Sequence, residues 1–254
     1  MKIKFNIKRE LKIVAAILVV VTFIAFTERK QDLVSIKDVT VKIYNAENNH
    51  FLDESDVMML TQVNVSNVRG ARASEVDLKA IEKKIKKDPF IKEAELYTDL
   101  KGNLIVGVEL RRPVARIVRN DGPDGYIAED GTIMPVSDKF TARVMLVSGN
   151  FVKTLLRQRN LTQTEEGTRL LSFIKTIRDD EFWNAQIAEM DIDSKGRITL
   201  LPQIGDERIE FGAPEDEKAK LRKLKIFYKE VLPKTGWNRF KRVNLEYDGQ
   251  IVAE

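Results

Sequence analysis

The sequence predicts an α+β protein made of one N-terminal transmembrane helix, a small strand-helix-helix-strand-strand module, and a β-rich domain with two helices. Three observations carry that prediction. An uncharged 15-residue run follows a basic tail, short segments alternate apolar and polar residues, and four longer stretches repeat apolar residues at helical spacing.

The chain of 254 residues has 43 Lys and Arg, 39 Asp and Glu, no Cys and one His. Without Cys there can be no disulfide framework, thiolate zinc site, iron–sulfur cluster or thiol nucleophile. A single His excludes zinc motifs that need two. His50 lies in Asn48-Asn49-His50-Phe51-Leu52-Asp53, away from any nucleophile elbow, and reads as a loop residue. The net charge of +4 is confined to the first twelve residues, where Lys2, Lys4, Lys8, Arg9 and Lys12 face only Glu10. The remaining residues carry 38 basic and 38 acidic side chains, so a whole-chain basic field toward nucleic acid is not expected.

Residues 1–12 are therefore read as a cytoplasmic basic tail and 13–27 as a transmembrane helix. Ten of the 15 residues in IVAAILVVVTFIAFT are Ile, Leu, Val or Phe. They supply about −3 to −6 kcal/mol for insertion. The run spans only about 22 Å against a hydrocarbon core of about 30 Å. Leu11 and snorkelling of Lys12, Arg29 and Lys30 extend it. The competing reading is a signal peptide cleaved after Ala25-Phe26-Thr27, a poor cleavage pattern. Charge before the span and none in sum after it keeps the N-terminus in the cytoplasm and exports the rest.

Beyond a linker at 28–35, residues 36–112 form the first module. Val39, Val41 and Ile43 alternate as a strand. Asp53 with Asp56 caps a helix through Val63. A second helix is expected from Ser74 with Asp77, with Val76, Leu78, Ile81 and Ile85 as its apolar stripe and Pro89 as its stop. Strands Ile91 to Tyr97 and Asn103 to Leu110 follow, joined by Asp99-Leu100-Lys101-Gly102.

Residues 113–254 read as a β domain. Short strands are expected around Ile117 and at 126–128, 144–147, 188–192, 198–201 and 207–211, with turns at Glu129-Asp130-Gly131 and Ser194-Lys195-Gly196. One helix is expected over 164–178. Another is expected from Pro214 to Pro233, with Leu221, Leu224, Phe227, Tyr228 and Val231 as its buried face. In Arg242 to Tyr247, residues Val243, Leu245 and Tyr247 share a face, and this late strand is expected at a sheet edge with unpaired backbone groups.

Catalytic patterns are weak. Ser172-Phe173-Ile174-Lys175 and Lys234-Thr235-Gly236 resemble two transpeptidase elements, but Ser148-Gly149-Asn150 precedes the first instead of lying between them. Carboxylate pairs such as Asp179-Asp180 arise freely among 39 acidic residues. There is no P-loop. A binding protein is favoured over a membrane-anchored or secreted cell-wall enzyme.

The layout as a whole resembles the FtsQ (DivIB) family of bacterial division proteins. Lys87-Asp88-Pro89-Phe90-Ile91-Lys92-Glu93-Ala94-Glu95-Leu96 and Glu109-Leu110-Arg111-Arg112-Pro113-Val114-Ala115 are similar to that family's POTRA module and its exit. Tyr126-Ile127-Ala128-Glu129-Asp130-Gly131 and Val243-Asn244-Leu245-Glu246-Tyr247 are similar to its β-domain signatures. The resemblance implies a non-enzymatic, single-pass scaffold of the divisome, largely periplasmic and with no cofactor or metal. It also implies binding of FtsB and FtsL through the C-terminal edge and a link from assembly to septal peptidoglycan synthesis. The partner-binding residues it implies are Arg197, Val243, Asn244, Leu245, Glu246, Tyr247, Gln250, Ile251 and Val252. The family often has Asp and Arg where this chain has Asn244 and Glu246, so Glu246 reverses a charge.

Overall fold

The computed structural model of the chain describes residues 14–20, 22, 35–62 and 68–254. Residues 13, 21 and 23–27 of the expected span, the basic tail and most of the linker lie outside them. Residues 14–20 and 22 are helical and exposed, and among the described residues no helix is long and apolar enough to cross a membrane.

Two compact units divide the chain. One contains Asp53–Glu109 and the chain up to Tyr44, and the other contains Asn45–Leu52 and Leu110–Glu254. The first unit holds strand β1 (Asp38–Ile43), helices α1 (Glu54–Thr61) and α2 (Leu78–Ile85), and strands β2 (Ile91–Thr98) and β3 (Asn103–Leu110). Its sheet has the order β1-β3-β2, with β1 parallel to β3. Val41, Val57, Ile85, Ile91, Ala94 and Leu104 are buried.

The expected capping box at Asp53 and Asp56 is present. Helix α2 departs from expectation. It starts at Leu78, because Ala73–Glu75 forms a separate 3-10 turn and Val76 is extended, so the Asp77 carboxylate, not the Ser74 hydroxyl, takes the helix's orphan N–H at Ala80. The helix ends at Ile85, before Pro89 can act.

The second unit is a nine-stranded sheet. Its strands are β4 (Pro113–Ile117), β5 (Gly125–Ala128), β6 (Ile133–Pro135), β7 (Met145–Ser148), β8 (Ile187–Ile192), β9 (Ile198–Pro202), β10 (Arg208–Gly212), β11 (Arg242–Asn244) and β12 (Val252–Ala253). The order is β12-β11-β10-β9-β8-β7-β4-β5-β6. The helices are α3 (Val152–Arg157), α4 (Glu165–Asp179), α5 (Glu181–Gln186), α6 (Glu217–Ile226) and α7 (Leu232–Thr235). One core joins Leu170, Phe173, Ile174 and Ile177 of α4 and Leu221 and Leu224 of α6 to Ile117, Val147, Met190, Leu200, Ile209 and Val243 of the sheet. Alternation sends the intervening strand residues to the other face.

The last long helix begins and ends differently from expectation. It starts at Glu217, not Pro214, because Asp216 adopts a left-handed conformation with φ 50°. Nor does Pro233 stop it. A π-helical turn over Phe227–Val231 precedes α7, and Pro233 sits in the first turn of α7, where a missing N–H costs little. Gly236, with φ 101°, is the actual stop.

The end of the chain also departs from expectation. Strand β11 stops at Asn244, where the Asn244 side chain accepts the Glu246 N–H at 2.8 Å and turns the chain. It is not the edge. It pairs parallel with β10 on one side and antiparallel with β12 on the other, so β12 is the edge strand. Val243 and Leu245 are buried while Tyr247 is 52% exposed, so the three do not share a face.

Candidate partner-binding surface

The bare face of the second unit is built by strand register. Asp191 lies opposite Ser148 and Thr199, Glu210 opposite Thr199 and Asn244, and Asn244 opposite Val252. These residues share the face that the helices leave uncovered. Toward the C-terminal edge this face holds a depression of about 290 Å³ lined by Asp193, Arg197, Glu210, Arg242, Asn244 and Glu246.

Glu210 is the hub. Arg242 Nε donates to its Oε1 at 2.7 Å and Nη2 to its Oε2 at 2.8 Å, a bidentate pair, and Asn244 Nδ2 donates to Oε2 at 2.6 Å. The Arg242 guanidinium, helped by Asn244, holds the Glu210 carboxyl below the usual carboxylate range despite partial burial. Arg242 is pushed up in turn, chiefly by Glu210 and further by Glu254 at 3.4 Å. Arg197 is anchored by Asp193, whose Oδ2 accepts its Nε at 2.9 Å and whose Oδ1 accepts the Lys195 and Arg197 backbone N–H groups. Glu246 lies over Gly212, where φ is 75° and a Cβ would come within 2.8 Å of the Glu246 side chain.

At the edge, Arg242 and Glu254 exchange backbone hydrogen bonds and Asn244 lies opposite Val252. Antiparallel alternation then turns the N–H and C=O of Ala253 away from β11, toward open solvent. The side chains of Ile251 and Ala253 pack against the core.

The structure sorts the residues singled out from the sequence. Arg197, Asn244 and Glu246 line the depression, and Val252 lies on the edge strand. Tyr247 and Gln250 are exposed in the turn before the edge strand. Val243 and Leu245, expected to touch a partner, are 0% and 1% exposed and can only support the strand from beneath. Sequence reasoning missed Glu210, Arg242 and Asp193. Glu210 alternates with Ile209 and Phe211, which marks it as outward-facing, but its pairing with Arg242 arises from a parallel contact between distant segments.

The other candidates do not form a reaction centre. Ser172 is exposed on α4, and Lys234 pairs with Glu230 at 3.4 Å. Among the described residues no group of three or more His, Asp or Glu could hold a metal ion. His50 is exposed and meets Phe140 edge-on.

Residues 35–109 match the POTRA-like domain, and residues 112–254 match the family described as FtsQ/DivIB, C-terminal related. A POTRA-like unit followed by this C-terminal unit defines a two-domain bacterial division protein. The chain belongs to the FtsQ/DivIB family, a non-enzymatic family with a role in cell division. It is 28% identical over 190 residues to the cell division protein FtsQ of Salinibacter ruber, covering 73% of this chain and 72% of that protein.

Proposed function

We propose that this protein is a single-pass scaffold of the divisome. Its N-terminus is cytoplasmic, residues 13–27 are its anchor, and its domains at 36–112 and 113–254 are periplasmic. It captures the FtsB–FtsL pair at its C-terminal edge and so links assembly to septal peptidoglycan synthesis. The observation that carries this reading is the edge strand β12, whose outward Ala253 N–H and C=O await a partner strand while Glu246, Arg242 and Arg197 stand beside it. Strand addition draws affinity from backbone bonds and specificity from flanking side chains. Glu246 stands where the family often has Arg, so the partner presents a cation there.

The test is Ala253→Pro in the full chain, assayed by co-purification with the organism's own FtsB and FtsL. Proline removes only the outward N–H at this position, so β11–β12 pairing and the thermal midpoint are expected to persist while capture is lost. Undiminished capture overturns the reading. Removing all of 242–254 would be a poorer test, because it also takes Val243 and Leu245 out of the core.

A further inference from the structure

A second interaction surface lies on the helical side of the second unit. Residues 217–242 contain ten Lys and Arg and only two Asp and Glu, inside a portion of the chain whose charges cancel only when this segment is counted. Several of these cations are occupied. Lys220 Nζ donates to the carbonyls of Phe211 and Ala213, Lys223 Nζ to those of Tyr247 and Gln250, and Lys225 pairs with Asp180 at 3.1 Å. Among the described residues, no hydrogen bond or ion pair holds Lys218, Arg222 or Lys229, and all three are exposed.

Lys218, Arg222 and Ile226 recur at i, i+4 and i+8 along the outer side of α6, and Lys229 continues the row across the π-turn. Ile226 is 57% exposed within it. The row is about 16 Å long and one helix wide. Beside it, between α4 and α6, runs an open concavity of about 560 Å³ lined by Arg169, Ser172, Lys218 and Arg222, with Asp216 and Glu217 at its acidic end.

We infer that this row docks an acidic amphipathic helix of a partner protein, its carboxylates on Lys218, Arg222 and Lys229 and an apolar residue on Ile226. Two features favour a polypeptide over an anionic membrane. The free cations of α6 and the π-turn form a strip, not a broad basic face, because the neighbouring lysines are tied to carbonyls and to Asp180. Glu215, Asp216 and Glu217 gather at one end of α6, where they would repel a continuous anionic plane but would set the direction of a helix whose charges are uneven. The surface lies on the helix-covered side of the sheet, away from the depression around Glu210, so it does not depend on the edge strand being a partner site.

The test uses the full chain in neutral detergent and a fluorescein-labelled helical peptide of Glu, Ala and Leu, with Glu on one face and Leu in its centre. Anisotropy is expected to show saturable binding that falls about tenfold or more in Lys218→Glu/Arg222→Glu, and likewise in about 1 M salt, where the screening length is about 3 Å. The thermal midpoint should not move, since both side chains are exposed. Equal binding of a Lys-for-Glu peptide, or unchanged binding by the double variant, overturns the proposal. So does the third arm, if the chain in phosphatidylcholine nanodiscs recruits phosphatidylglycerol vesicles through these residues but fails to bind the peptide. Ala253→Pro should leave peptide binding intact, which separates this surface from the edge.

Discussion

At the scale of single residues, the most exacting environment is that of Glu207. It is 1% exposed, its Oε1 accepts from Tyr228 Oη at 2.9 Å, and among the described residues its Oε2 has no hydrogen-bond partner. Burial and the adjacent carboxylate push the Tyr228 phenol well up, so it stays a donor at all ordinary pH values. Tyr228→Phe leaves a buried carboxylate without that donor. The expected cost is about 1–3 kcal/mol, read as a fall in the urea midpoint with unchanged slope. Glu210 makes the opposite case, a carboxylate well supplied with donors. Its acidity is raised by Arg242, so the network's contribution is fully present above the ordinary carboxylate range and is lost only as pH falls through the lowered value. An NMR titration of the Glu210 carboxyl carbon should give a midpoint below that of ordinary glutamates, moving back up in Arg242→Gln. A midpoint at or above the ordinary value would show that the pair does not persist in solution.

At the scale of elements, short polar side chains decide where helices and strands begin and end. Asp77 holds the start of α2 through the Ala80 N–H, so Asp77→Ala should destabilise the first unit by about 1 kcal/mol, visible as faster amide exchange in the first turn of α2. Ser74→Ala should have little effect on that turn. Both residues suit a helix start in sequence. What separates them is the extended backbone at Val76, which breaks the helix between the two. The same holds at Pro233. Read locally a proline ends a helix, yet the π-turn before it absorbs the mismatch and lets the buried face of Phe227, Tyr228 and Leu232 continue.

At the scale of the whole molecule, the sequence order of the two units is interrupted. Asn45–Leu52 belongs to the second unit although it lies between β1 and α1. Asn45 exchanges two hydrogen bonds with Leu110, donating from Nδ2 at 2.7 Å and accepting at Oδ1 at 2.8 Å. Phe51 is 1% exposed and meets Tyr126 and Phe140 edge-on at 5.3 and 5.0 Å. Phe51→Ala should therefore destabilise the second unit, by about 3–5 kcal/mol. Both tryptophans, Trp183 and Trp237, lie in that unit, so the urea transition by tryptophan fluorescence reads it directly. An unshifted fluorescence transition would mean that the segment is not part of that core.

What the sequence determined alone is what short-range chemistry encodes. Val39, Val41 and Ile43 alternate as a strand, the Asp53–Asp56 box starts α1, the glycines of Glu129-Asp130-Gly131 and Ser194-Lys195-Gly196 take positive φ, and Leu170, Ile174 and Ile177 stripe α4. Each depends on neighbours within a few residues. The tertiary structure alone decided which late strand is the edge, that Val243 and Leu245 are core, and that Glu210 meets Arg242 across a parallel pair. The physical reason is that pairing partners and burial are set by where distant segments pack, and alternation cannot tell an interior strand from an edge one. Val252–Ala253, two residues long and too short to carry a period, is a strand only because β11 lies beside it, and its outer backbone is open because among the described residues it is the last strand on that side of the sheet.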